Sequence, residues 1–148
     1  AAVVSLMARD RDGPKISRQI LLYPSTNLNT LNTESYRHFG KGFMLTKKDV
    51  EWLRGHYLPQ KSSWSNPLAS PLLAKNHSNL PPATIITAQM DPLREDGKQY
   101  AEKLKKAGVS VQYHSYAGMV HGFISADKYL IQANEALDEV ALDLRNTY

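Results

Sequence analysis

Two side chains in the sequence are of types that do acid–base chemistry together: Asp91 in TAQMDPLRED and His121 in AGMVHGFI. An aspartate that accepts the Nδ1 proton of a histidine fixes the ring's tautomer and stabilises the imidazolium, which leaves Nε2 as a general base. His121 stands between apolar Val120 and the Gly122–Phe123 step, surroundings in which its ring nitrogens need a partner. Residue type alone leaves other readings open. Asp-Pro is a common turn former, and a histidine at a strand end is often structural. Glu95 or Asp96 is a rival for the acid, although both suit the start of a helix, where negative charge meets the dipole. Metal chemistry is not indicated, because His38, His56, His77, His114 and His121 show no short ligand spacing. The chain has no cysteine, so it offers neither a disulfide framework nor a thiolate nucleophile.

The elements that must position this pair are legible as periodicities. AAVVSLMARDRDGP has helical character and begins without a cap, as though inside a longer element. QILLYPS reads as a strand buried on both faces of a parallel sheet, closed by Pro24. Residues 26–66 change character, and within them LTKKDVEWLRGHYL predicts a helix with Val50, Leu53 and Tyr57 on one face and Thr46 and Asp49 as its cap. After a proline-punctuated connection, ATIITAQM predicts a second buried strand. DGKQYAEKLKKAG follows as a helix with Tyr100, Ala101, Leu104 and Ala107 inward, and VSVQYHSY as a third strand. The last helix is expected to bury one stripe of Tyr129, Ala133, Ala136, Leu137, Val140 and Leu144.

Strand, helix, strand, helix in that order implies parallel crossovers and an α/β layered fold. Functional groups in such sheets gather beyond the carboxyl ends of the strands, and the loops there carry Asp91 and His121 side by side.

Composition narrows the function classes. A chain of 148 residues with 42% hydrophobic content is one ordinary domain. Eighteen Lys and Arg against fourteen Asp and Glu give a net charge of +4, yet no basic cluster is interleaved with aromatics. Lys103, Lys105 and Lys106 read as a solvated helix face, so no nucleic-acid partner is expected. No apolar run reaches the length of a membrane span and no signal-peptide pattern opens the chain, which leaves the compartment open with the cytoplasm as default.

The run LPPATIITAQMDPLREDGKQYAEKLKKAGVSVQYHSYAGMVHGF resembles the C-terminal signature of the hormone-sensitive-lipase-like esterases, a branch of the α/β-hydrolase family. QILLYPS and NPLASPLLA resemble its preceding segments, ESYRHFGKGFMLTKKDVEWLRGHYL its cap helices, and AAVVSLMARDRDGPK the helix after its nucleophile. The resemblance implies that residues 1–148 form the C-terminal part of one α/β-hydrolase domain, with residues 26–66 as a cap insertion. It makes Asp91 the acid and His121 the base of a Ser-His-Asp triad, in the chain order Ser, Asp, His. It departs from the family in one respect: neither Gly-x-Ser-x-Gly nor a His-Gly-Gly oxyanion loop occurs, and both are expected before Ala1. Ser25, after Pro24, and Ser70, before Pro71, lack the glycine-flanked turn that exposes such a nucleophile.

The expected activity is therefore hydrolysis of carboxylic esters of short- to medium-chain acids, without metal or organic cofactor, by the complete protein and not by this portion alone. The expected substrate contacts are Phe39, Phe43, Trp52, Met90, Met119 and Phe123. The partners implied are the small-molecule ester, the missing N-terminal half and, in a homodimer, a second copy. The alternative is a receptor-like member that binds ligand without turnover; such members typically lose a triad residue, whereas Asp91 and His121 are both present.

Overall fold

The computed structural model describes residues 1–147. Its elements are α1 (Ala2–Asp10), β1 (Gln19–Leu22), α2 (Glu34–Phe39), α3 (Lys47–Tyr57), β2 (Ala83–Met90), α4 (Arg94–Lys106), β3 (Val111–Val120) and α5 (Ile131–Arg145), with short 3₁₀ turns between them. The three strands form one parallel sheet in the order β1-β2-β3. This is the α/β layered architecture expected from the sequence, parallel strands flanked by helices.

The central strand explains the layering. Successive residues of a strand point to opposite faces, so a strand covered on both sides is apolar without alternation. Ile85 packs with Leu6 of α1 and Tyr100, Ala101 and Leu104 of α4 on one face. Ile86 packs with Phe123 and with Ala133 and Ala136 of α5 on the other. Each isoleucine is fully buried, which contributes about 1.5–3 kcal/mol per side chain. Gly97 lets α4 come this close: a Cβ there would lie 2.6 Å from Thr87 Cγ2.

Three expectations need correcting. The β1 strand is an edge strand here, and Leu22 is 40% exposed rather than buried on both faces. Tyr129 lies outside α5 and is exposed, and Leu137 and Leu144 are exposed as well. The helix instead turns Asp143 inward, where its carboxylate accepts from the Thr84 hydroxyl and faces the Arg18 guanidinium at 3.5 Å. A buried charge so partnered can take a core position that periodicity assigns to leucine. Finally, Leu53 and Tyr57 of α3 are exposed, and only Val50 of that stripe is buried. The Thr46–Asp49 capping box does form, with the Thr46 amide donating to Asp49 Oδ2 at 2.8 Å and the Asp49 amide to Thr46 Oγ1 at 3.2 Å.

Candidate active site

Asp91 follows the last residue of β2 and His121 the last residue of β3. The two strands are in simple register as far as Ala88 and Tyr116, but the next pair is Met90 with Val120. The β3 strand thus spends four positions where β2 spends two, and the insertion carries Gly118 at φ +72°. Its amide donates to Gln89 Oε1 at 2.7 Å, a side-chain acceptor replacing the interrupted ladder. Without the insertion Met90 would face Gly118, and the residue beside Asp91 would be Met119. The bulge therefore carries the imidazole to the carboxylate, a re-aiming common where strands end near functional groups.

His121 Nδ1 lies 2.7 Å from Asp91 Oδ2. A carboxylate cannot donate, so Nδ1 carries the proton and Nε2 is left as the basic nitrogen. The other carboxylate oxygen, Oδ1, accepts the Leu93 amide at 2.8 Å. Asp91 is wholly buried, while the His121 side chain is 29% exposed. One member of the pair is thus fixed and dry, and the other reaches open space.

The far side of His121 is backed by Tyr23, whose ring centroid is 4.9 Å away. The Tyr23 hydroxyl accepts the Ile124 amide at 2.9 Å and so braces the turn after His121. Tyr23 adopts φ +46°, a left-handed conformation costing a bulky residue about 1–3 kcal/mol. Burial, only partly opposed by the Ile124 hydrogen bond, raises its phenol pKa, and the Asp91 charge raises it further.

His121 lines a groove of about 250 Å³ whose apolar wall is formed by Leu28, Leu45, Val50, Leu53, Tyr57 and Leu93, with Ser25 and Arg54 as polar members. Arg54 donates to the Leu28 carbonyl at 2.9 Å and stacks on Trp64 at 3.5 Å, which ties α3 to the loop after β1. A larger cavity, about 640 Å³, opens beside Pro81 and Pro82 at the amino ends of the strands, the end of such sheets that does not carry reacting groups.

None of the six expected substrate contacts lines the groove. Phe39 and Phe43 stack edge-on at 5.5 Å, with the Arg94 guanidinium 5.2 Å over Phe39. Trp52 is exposed and stacks on His56 at 4.2 Å. Met90 is half-buried at the end of β2. Met119 packs against the Ile86 cluster, and Phe123 is buried in it at 5.7 Å from Tyr23 and 5.1 Å from Tyr116. The groove residues Leu53 and Tyr57 were visible in the sequence as one helical stripe, but a packing face and a ligand face share the same period.

Ser25 lies in the loop after β1. Ser70 is buried, donating to the Trp64 carbonyl at 2.5 Å and accepting the Leu28 amide at 2.8 Å, which leaves it no role as a nucleophile. Among the described residues no group of His, Asp and Glu side chains could hold a metal ion, and no helix is long and apolar enough to cross a membrane.

Comparison with known proteins gives the family of the fold. The family profile of the alpha/beta hydrolase fold matches residues 1–125. The carboxylic ester hydrolase LipN of Mycobacterium tuberculosis is 42% identical over 130 residues, covering 84% of this chain and 34% of LipN. The arylesterase of Saccharolobus solfataricus is 33% identical over 144 residues, covering 97% of this chain and 46% of the arylesterase. Among solved structures, the thermostable carboxylesterase EstE1, cloned from a metagenomic library, superposes with a TM-score of 0.93 at 37% identity, over 99% of this chain and 50% of EstE1. The chain spans between a third and a half of the length of these proteins.

Proposed function

The chain belongs to the α/β-hydrolase family, in its hormone-sensitive-lipase-like esterase branch, and from that premise we propose that it carries the acid and the base of a serine carboxylic ester hydrolase. The serine and the oxyanion amides are assigned to a portion of the protein that precedes Ala1. The observation that supports this reading most is the 2.7 Å contact between His121 Nδ1 and buried Asp91, made at the carboxyl ends of adjacent strands and beside an apolar groove.

In the proposed reaction His121 Nε2 takes the serine hydroxyl proton as the serine oxygen bonds to the ester carbonyl carbon. The tetrahedral intermediate then breaks the bond to the alcohol oxygen, which leaves with the proton returned by His121. Water attacks the acyl-enzyme, again giving its proton to Nε2, and the carboxylic acid departs as the serine is reprotonated. Asp91 stays ionised throughout and stabilises the imidazolium.

The substrate class is an ester with a short- to medium-chain acyl group, for which the groove wall of Leu28, Leu45, Leu53 and Tyr57 supplies apolar contact. Residues 26–66, which hold α2 and α3, serve as the cap over it. Alone, the 148-residue portion hydrolyses nothing. Its β1 edge, with Leu22 exposed, pairs in the intact protein with the strands of the other half.

The test has two steps. The residues preceding Ala1 are established by transcript sequencing or by mass spectrometry of the native protein. The complete protein is then assayed on p-nitrophenyl esters beside its His121→Ala variant. Hydrolysis that falls at least about 10³-fold in the variant agrees with the proposal, and hydrolysis that survives the substitution removes it.

A further inference from the structure

Asp96, five residues beyond Asp91, is buried at the start of α4 and has no place in the reaction above. A carboxylate serving only the helix start would turn to its own helix's free amides. Asp96 Oδ2 turns instead to another element, accepting the amides of Thr26 and Asn27 at 3.0 Å each, and the Thr26 hydroxyl donates to the Asp96 carbonyl at 2.8 Å. The residues flanking that grip, Ser25 and Leu28, line the groove beside His121. Gly97 makes the reach short, because a Cβ there would lie 3.4 Å from Pro24 Cδ as well as against Thr87.

We propose that Asp96 is a positioning residue that fixes the loop after β1 as one wall of the substrate groove, so that Asp91 and Asp96 hold opposite sides of one site. The proposal rests on the hydrolase reading for its link to substrate. Asp91, Glu95 on its own helix and Tyr36 on α2 are the titratable groups that face Asp96, and none is a cation. Among the described residues it forms no salt bridge, so the loop amides are its principal partners. Burial pushes its carboxyl up to about 7, against the pull of those two amides. Ionisation is disfavoured while the loop covers the carboxyl, so the grip loosens as pH rises through 7.

The experiment uses the full-length protein and reads two quantities: backbone hydrogen exchange over residues 25–28 at pH 8, and kcat and KM for a p-nitrophenyl ester from pH 6 to 8. Asp96→Ala leaves two buried amides without an acceptor, and is expected to speed that exchange about tenfold and raise KM about tenfold, with kcat held within about threefold. Asp96→Asn keeps an acceptor oxygen but no charge. Its KM is expected to match the wild type's at pH 6 and to lack the wild type's rise toward pH 8.

Wild-type exchange and KM in a folded Asp96→Ala protein overturn the proposal. So does a KM in Asp96→Asn that follows pH as the wild type's does, and this comparison decides the matter if Asp96→Ala does not fold. Exchange is read without any reaction. A protein that hydrolyses no ester therefore overturns the hydrolase reading, while the exchange still decides for or against the role of Asp96 in holding the loop.

Discussion

The amide of Gly118 donates to the side-chain oxygen of Gln89 across 2.7 Å, and this contact holds open the bulge that puts His121, rather than Met119, next to Asp91. A Cβ on Gly118 would meet nothing within 4 Å, so space does not restrict this position, but φ +72° does. In the full-length protein Gly118→Val is expected to lower kcat at least about tenfold, with little change in KM, because a β-branched residue pulls the bulge out of the left-handed region. Steady-state kinetics check this, and an unchanged kcat would show that the bulge does not aim His121.

The groove gives a second expectation, which separates residues by position rather than by type. Leu53 lines the groove and Trp52, its neighbour on α3, points away from it to stack on His56. Leu53→Ala should therefore raise KM for a p-nitrophenyl hexanoate by about tenfold or more and leave the acetate ester nearly unaffected. Trp52→Ala should alter neither. The reverse pattern would place the acyl chain elsewhere.

Stability should carry the mark of Asp96. A carboxyl in the unfolded chain titrates near 3.9, whereas burial pushes the folded group up to about 7. Between those values the folded protein holds a proton that the unfolded protein has released. This group's contribution is therefore most favourable below about pH 4 and is lost as pH rises through 7. Asp96→Asn removes the dependence, so the variant's Tm relative to wild type should be higher at pH 8 than at pH 5 by at least about 3 °C. A Tm difference that does not move with pH contradicts the buried, uncompensated carboxyl.

The family, the layered fold and the adjacency of the loops carrying Asp91 and His121 were legible in the sequence. ATIITAQM shows no alternation of apolar and polar residues because both its faces are covered, and strand order alone brings the next loop beside it. Other features follow from tertiary partners that leave no periodic trace. Nothing in AGMVH announces two extra residues in a ladder, and Asp143 takes a core position because Arg18 and Thr84 approach from distant parts of the chain. The aromatic residues named as substrate contacts are large and apolar, properties that suit a core as well as a pocket, and Phe123 went to the core. Asp96 has the spacing of a helix-start charge, which gives no sign that its carboxylate leaves that helix to hold the Thr26 and Asn27 amides.

In the proposed mechanism His121, held by Asp91, activates a serine lying outside these residues. The most direct test is to treat the full-length protein with an alkyl fluorophosphonate, which bonds to an activated serine oxygen with loss of fluoride, and to locate the adduct by peptide mass spectrometry. A single adduct on a serine preceding Ala1, formed at least about 10³-fold more slowly in His121→Ala, is the predicted result. An adduct on Ser25 or Ser70, or labelling that proceeds at the same rate without His121, would contradict it.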